Sequence, residues 1–99
     1  MYKNNDKRRL YWLINKYLLN EIDESTFCNE FYYSYDLEIN VDVFTDNEKI
    51  FFSELNEITS RFSQYEEDHM MDSKAFSDID ELKKKIIETK IKLEGEGLF

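Results

Sequence analysis

Proline is absent from the 99 residues, and the only two glycines, Gly95 and Gly97, stand close to the end of the sequence. Folds rich in strands and tight turns use these two residue types where the chain reverses. Their scarcity favours long helices joined by polar loops, and it excludes a glycine-rich phosphate-binding loop. A chain of this length matches one typical domain. The sequence therefore predicts a single all-α domain over residues 1–99.

Cysteine and histidine occur once each, as Cys28 and His69. A lone cysteine forms no intramolecular disulfide, and a zinc site needs more ligands than these two residues supply. Glu66 and His69 show the Glu-x-x-His spacing of di-metal helical bundles, but only one copy is present. We therefore expect no cofactor, no metal and no catalysis. A small metal-dependent enzyme using Glu66 and His69 is the alternative.

Long apolar runs are missing as well, since no stretch approaches the roughly 20 apolar residues of a membrane span. Residues 1–9 are polar and charged, unlike the start of a secretory signal peptide. The sequence thus predicts a cytoplasmic protein that does not contact the membrane.

Positive charge is scarce in the middle of the chain, whose net charge is −9. Residues 21–81 hold eighteen acids against three bases, whereas residues 1–20 and 82–99 each hold five bases, against one and three acids. Nucleic-acid binders need a basic face, so direct binding to nucleic acid is not expected. An acidic surface attracts basic proteins and speeds their encounter. The alternative is that acidity only keeps a small protein soluble.

Apolar residues three and four positions apart predict four helices, at about residues 6–20, 23–36, 46–65 and 77–94. Asp23 and Ser77 are the expected N-caps of the second and fourth helices. Thr45 and Glu48 form a capping box before the third helix. That helix carries a heptad-like apolar seam suited to packing between antiparallel helices: Phe51, Leu55, Ile58, Phe62 and Tyr65.

Residues 37–44 alternate between apolar and polar side chains, which is the period of a strand. No second strand is evident, and a lone strand leaves its main-chain groups unpaired. We predict an extended connection whose apolar side lies on the bundle. The alternative is an edge strand that pairs with another chain.

The candidate partner-binding residues are mostly acidic and lie on the third helix and just beyond it: Glu54, Glu57, Tyr65, Glu66, Glu67, Asp68 and Asp72. Clustered carboxylates repel one another, so a cationic partner would stabilise them. A tyrosine among them offers the rigid contact that interface hot spots favour. The alternative is an ordinary solvated face, on which Glu57 pairs with Arg61.

The order of these features resembles the colicin-like immunity proteins, the family of the colicin D immunity protein, with relatives that accompany contact-dependent growth inhibition toxins. The resemblance rests on Leu13-Ile14-x-x-Tyr17-Leu18-Leu19-Asn20-Glu21-Ile22, Phe27-x-x-x-Phe31, Glu48-x-x-Phe51-Phe52-x-Glu54-Leu55, Arg61-Phe62-Ser63-x-Tyr65-Glu66-x-Asp68 and Leu82-x-x-x-Ile86. It covers about residues 10–93.

The resemblance implies an antiparallel four-helix bundle that binds a cognate bacterial toxin domain one-to-one, often a tRNA-cleaving nuclease. It further implies that an acidic surface occupies the basic RNA-binding cleft of the toxin. The positions that match the family are Glu54, Tyr65, Glu66 and Asp68, whereas Glu67 and Asp72 are added from charge alone. The alternative is a structural or adaptor protein that packs its Tyr32 and Tyr33 against another chain, for example in a homodimer.

Overall fold

The computed structural model describes residues 2–63 and 76–99, and the regular structure within these ranges is helical. These two ranges contain four α-helices, namely α1 (Arg8–Leu18), α2 (Glu24–Tyr32), α3 (Asp46–Ser60) and α4 (Ile79–Gly95). The predicted all-α fold is confirmed. The helix α3 ends at Ser60, before the residues that the sequence assigned to its last turn, and Phe62 forms a parallel bridge with Ser77.

The helices form a ring in which α1 contacts α2 and α4, and α3 also contacts α2 and α4. The hydroxyl of Ser77, just before α4, donates to the Ile58 carbonyl of α3 at 2.6 Å. Two turns further along α4, Lys85 reaches Glu54 at 3.0 Å, one turn earlier on α3. The two helices are therefore antiparallel, as the heptad-like seam predicted.

Phe52 lies at the centre of the core and is fully buried. Its ring centroid is 5.5 Å from that of Tyr11 on α1, 6.3 Å from that of Phe31 on α2 and 5.5 Å from that of Phe44. Aromatic pairs at such distances contribute about 0.5–1.5 kcal/mol beyond the area they bury. One side chain of α3 thus joins three parts of the fold.

The buried face of α3 is rotated from the predicted seam. Its most buried residues are Glu48, Phe52, Leu55 and Thr59, whereas Phe51 and Ile58 are only half-buried. Because α3 packs between α2 and α4, the side of α3 midway between these two helices faces the core, and Phe51 lies toward α4. There the Lys92 ammonium is 5.5 Å from the centroid of the Phe51 ring.

Side-chain caps fix where most of these helices begin. The carboxylate of Asp23 accepts from the Thr26 N–H at 2.8 Å, and the predicted capping box of α3 is present. The predicted Ser77 cap of α4 is wrong, because Asp78 takes that position and accepts from the Glu81 N–H at 2.8 Å. Ser77 is instead buried against α3.

The link between α2 and α3 differs most from its prediction. After Tyr32 the chain continues as a π-helical turn (Tyr33–Glu38), in which the Ile39 N–H donates to the Ser34 carbonyl at 2.8 Å. A 3-10 turn (Val41–Val43) follows. Only the residues between and after these turns, such as Ile39 and Phe44, have extended backbone. The extended connection predicted for residues 37–44 is therefore interrupted by helical turns.

The apolar residues of this link do not all lie on the bundle as predicted. Ile39 and Phe44 are buried, but Leu37, Val41 and Val43 are exposed. Helical turns break the period of two, because they no longer place every second side chain on one face. The link therefore presents apolar side chains to solvent.

Candidate functional site

Five of the seven partner-binding residues predicted from the sequence lie outside the described residues: Tyr65, Glu66, Glu67, Asp68 and Asp72. Glu66 and His69, the alternative metal ligands, lie outside them too. The structure places the remaining two, Glu54 and Glu57, on α3.

Glu54 is already paired within the chain. Its carboxylate lies 3.0 Å from the Lys85 ammonium and 3.3 Å from the Lys92 ammonium, both on α4. These two hydrogen-bonded cations hold the pKa of Glu54 below its usual value. Much of the charge that Glu54 could offer a partner is thus neutralised by α4.

We expect Glu54→Gln to change the free energy of unfolding by less than about 1 kcal/mol, because half-exposed ion pairs on a protein surface contribute little. Urea unfolding followed by circular dichroism would measure the change. Glu57→Gln is the matched control on the same helix. A loss of more than about 2 kcal/mol in Glu54→Gln alone would mean that the ion pairs with α4 hold the bundle together.

Glu57 is exposed, and the structure joins it to Arg61 in an unexpected way. The Nε of Arg61 donates to the main-chain carbonyl of Glu57 at 3.2 Å. The four-residue spacing suggested an ion pair between the two side chains, but the contact observed joins the Arg61 side chain to the Glu57 main chain. The carboxylate of Glu57 has no ion pair with any residue in the described ranges.

A longer acidic segment than the one predicted lies between Lys16 and Lys49, where no Lys or Arg occurs. It contains nine acids, as many as the net negative charge of the whole chain: Glu21, Asp23, Glu24, Glu30, Asp36, Glu38, Asp42, Asp46 and Glu48. The structure shows which of these carboxylates have a partner within the chain. Glu30 pairs with Arg9 at 2.7 Å, and Asp23 caps α2.

Glu48 is the most buried of these acids, with 1% of its surface exposed. Its carboxylate accepts from the Lys7 ammonium at 2.9 Å, from the Thr45 N–H at 2.8 Å and from the Tyr11 hydroxyl. Burial alone would raise the pKa of Glu48, but the hydrogen bonds from Thr45, Tyr11 and Lys7 outweigh it and lower the pKa. Glu48 therefore connects α1 to α3 and is not available to a partner.

Four more of these acids, three in the link between α2 and α3 and one at the start of α3, are exposed and make no ion pair with a described residue: Asp36, Glu38, Asp42 and Asp46. The last residue of α2 and the link after it expose five large apolar or aromatic side chains: Tyr32, Tyr33, Leu37, Val41 and Val43. We refer to these nine exposed side chains together as the α2–α3 face. It combines uncompensated negative charge with apolar surface on one segment of chain.

A cleft of about 400 Å³ lies between the start of α1 and the last residues of the sequence, with Trp12 and Phe99 among its lining residues. Its cations are already paired, Lys7 with Glu48 and Arg8 with Asp6 at 2.6 Å. The cleft therefore offers no free charge for an anionic ligand.

Two observations on the described part of the chain concern metal binding and thiol reactivity. No group of three or more His, Cys, Asp or Glu residues there could hold a metal ion. Cys28 is buried, and burial together with the nearby Glu24 carboxylate raises the pKa of its thiol to about 12. A thiol with such a pKa stays protonated at neutral pH and is a poor nucleophile.

Comparisons with protein-family models, with curated proteins and with solved structures found no match to this chain. Among the helices of residues 2–63 and 76–99, none is long and apolar enough to cross a membrane.

One signal for the α2–α3 face was present in the sequence, and one was not. The absence of Lys and Arg between Lys16 and Lys49 can be read directly and marks this segment as a source of negative field. The outward direction of Leu37 and Val41 cannot be read, because their alternation with polar residues is equally typical of a half-buried strand.

Proposed function

We propose that this chain is an immunity-type protein that binds and neutralises a cognate bacterial toxin domain, most simply a basic nuclease, in a one-to-one complex without catalysis. The observation that carries the proposal is the set of exposed carboxylates on the α2–α3 face, which form no ion pair with a described residue. The sequence resemblance to colicin-like immunity proteins supplies the class of partner.

Occlusion is the mechanism that these charges support. Carboxylates placed along a short segment can occupy positions that the phosphates of RNA take in a basic cleft, since both accept charge-assisted hydrogen bonds from Lys and Arg. A nuclease cleft filled in this way excludes its substrate, and no covalent step is needed. The bundle serves as the rigid support of the acidic surface.

Electrostatic attraction would also set the rate of association. Exposed charges act over about 8 Å at physiological ionic strength, so neighbouring acids on one segment reinforce one another. Steering of this kind raises association rates by about 10- to 1,000-fold and weakens as salt rises.

Three variants with equal changes of charge would test the proposal and locate the surface. They are Asp36→Asn/Glu38→Gln/Asp42→Asn on the α2–α3 face, Glu66→Gln/Glu67→Gln/Asp68→Asn at the sequence-predicted patch, and Asp80→Asn/Glu81→Gln/Glu94→Gln on α4 as the matched control. The binding partner is the C-terminal domain of the polypeptide encoded immediately upstream. Stopped-flow fluorescence and calorimetry would give the association rate, affinity and stoichiometry at several salt concentrations.

We expect tight one-to-one binding by the unmodified chain and an association rate about tenfold lower or more for the α2–α3 variant, with little change for the α4 control. A rate that falls only in the variant of residues 66–68 would move the interface to the sequence-predicted patch. Equal rates for all four proteins, unaffected by salt, would contradict the electrostatic mechanism. No binding by the unmodified chain would contradict the proposed function.

Self-association is a second candidate, favoured by the exposure of Tyr32 and Tyr33 on α2 and the π-helical turn. Tyrosines exposed side by side are typical of protein interfaces. Sedimentation of the purified chain alone distinguishes the two candidates, because a stable homodimer at micromolar concentration would support the structural or adaptor role.

A further inference from the structure

We infer that the apolar side chains at the centre of the α2–α3 face, chiefly Tyr33, Leu37 and Val41, are the anchor of the complex and dock onto an apolar patch ringed by Lys and Arg on a basic protein domain. The inference rests on the proposed function and names the part of the surface from which most of the affinity comes.

The exposure of these side chains is concentrated in one short segment. Tyr33 is 54% exposed, Leu37 55% and Val41 54%, and all three lie within nine consecutive residues. Single exposed apolar residues are normal on protein surfaces, but neighbouring ones that share a segment mark an interaction site.

The segment is fixed on the core by the residues between the exposed ones. Ser34 and Ile39 are buried, and they are joined by the main-chain hydrogen bond of the π-helical turn. The ring of Tyr35 stacks on that of Phe31 at 5.3 Å and lies 6.0 Å from that of Phe44. A surface held in this way loses little conformational entropy when it binds, which favours affinity. π-helical turns are also found frequently at functional sites.

The surrounding charge selects the occupant. Asp36, Glu38 and Asp42 stand next to the exposed apolar residues along the chain and are exposed themselves, so carboxylates accompany the apolar side chains at the surface. Interfaces commonly combine an apolar core with a polar rim. A second copy docked by the same face would oppose acids to acids, which costs free energy. A partner with a basic rim would instead place cations opposite these carboxylates.

Helix α4 also exposes an apolar surface, but this one lies beside cations and serves as the control. Ile87 and Ile91 are also exposed, one turn apart, but they lie beside Lys84 and Lys92. There the carboxylate of Glu88 is already paired with Lys92 at 3.0 Å. The side chains that line this surface are apolar, cationic or, for Glu88, already paired, so the inference predicts that it stays outside the complex.

The test measures binding of the C-terminal domain of the upstream-encoded polypeptide to three proteins: the unmodified chain, Tyr33→Ser/Leu37→Ser and Ile87→Ser/Ile91→Ser. We expect Tyr33→Ser/Leu37→Ser to lose about a hundredfold in affinity or more, as substitutions of hot-spot residues do. The affinity of Ile87→Ser/Ile91→Ser should change by less than about threefold. Circular dichroism would verify that both variants keep the helical fold.

Hydrogen exchange of the unmodified chain gives a second measurement that does not depend on a variant. Complex formation should slow exchange of the main-chain amides in residues 34–43 and leave those in residues 84–91 unchanged. Full affinity in Tyr33→Ser/Leu37→Ser, or no protection of residues 34–43, would overturn the inference while leaving the proposed function intact. Failure of the unmodified chain to bind would overturn both. A homodimer that Tyr33→Ser/Leu37→Ser dissociates would identify a second copy as the occupant and overturn the basic partner.

Discussion

Replacing Phe52 with alanine is expected to lower the free energy of unfolding by about 3–5 kcal/mol. The side chain is fully buried, and its ring meets aromatic rings of Tyr11, Phe31 and Phe44. These neighbours come from α1, α2 and the link between α2 and α3, so none of them can fill the cavity without moving its own segment. Domains of this kind have about 5–15 kcal/mol of stability, of which this loss is a large fraction.

Chemical denaturation of Phe52→Ala in urea would measure this loss. Ile50→Ala is the matched control, because Ile50 is on the same helix and 53% exposed. Its expected effect is within about 0.5 kcal/mol, as for most surface substitutions. A loss of less than about 1.5 kcal/mol for Phe52→Ala would show that the core does not converge on this ring.

Replacing Glu48 with alanine is the second large expected effect, a loss of about 2–4 kcal/mol. Charge-assisted hydrogen bonds contribute about 1.5–3 kcal/mol, and a helix cap about 1 kcal/mol. Glu48 supplies both, since it accepts from Lys7 and Tyr11 and completes the capping box with Thr45. Urea unfolding would measure the loss, and Glu57→Ala, exposed on the same helix, should change stability little.

The pH dependence of this contribution has a definite sign. The pKa of Glu48 is lower in the folded protein than its usual value of 4.5, because its hydrogen bonds favour the charged form. Its stabilisation is therefore present above pH 4.5 and is lost as the pH falls through the lower folded-state pKa. The stability difference between the unmodified chain and Glu48→Gln should accordingly shrink on acidification below pH 4.5. A difference that grows as the pH falls would contradict the assignment.

Local patterns in the sequence predicted the helices well, because they depend on neighbours along the chain. The capping box of Thr45 and Glu48 and the cap at Asp23 are present as predicted. Phe27, Phe31 and Tyr35 stand four residues apart in the sequence and stack in the structure, with neighbouring ring centroids 5.7 and 5.3 Å apart. This spacing does not reveal the change to a π-helical turn, because residues four apart lie on nearly the same face of an α-helix and of a π-helix.

Features that depend on contacts between distant segments could not be predicted. Glu48 reads in the sequence as a local cap, but two further donors come from a distant part of the chain, Lys7 just before α1 and Tyr11 on α1. Glu54 reads as a free acid, yet α4 brings two lysines to it. The contacts with α4 therefore neutralise much of the charge of Glu54, whereas Glu57 and the acids of the link between α2 and α3 form no ion pair with a described residue.

Growth rescue is the most direct test of whether this chain neutralises a basic toxin domain. The C-terminal domain of the upstream-encoded polypeptide would be induced in cells, alone and together with this chain, and growth and co-purification would be scored. We expect the domain alone to stop growth and co-expression to restore it, with a one-to-one complex recovered. An active toxin domain whose growth arrest persists, with no complex recovered, would contradict the proposed function.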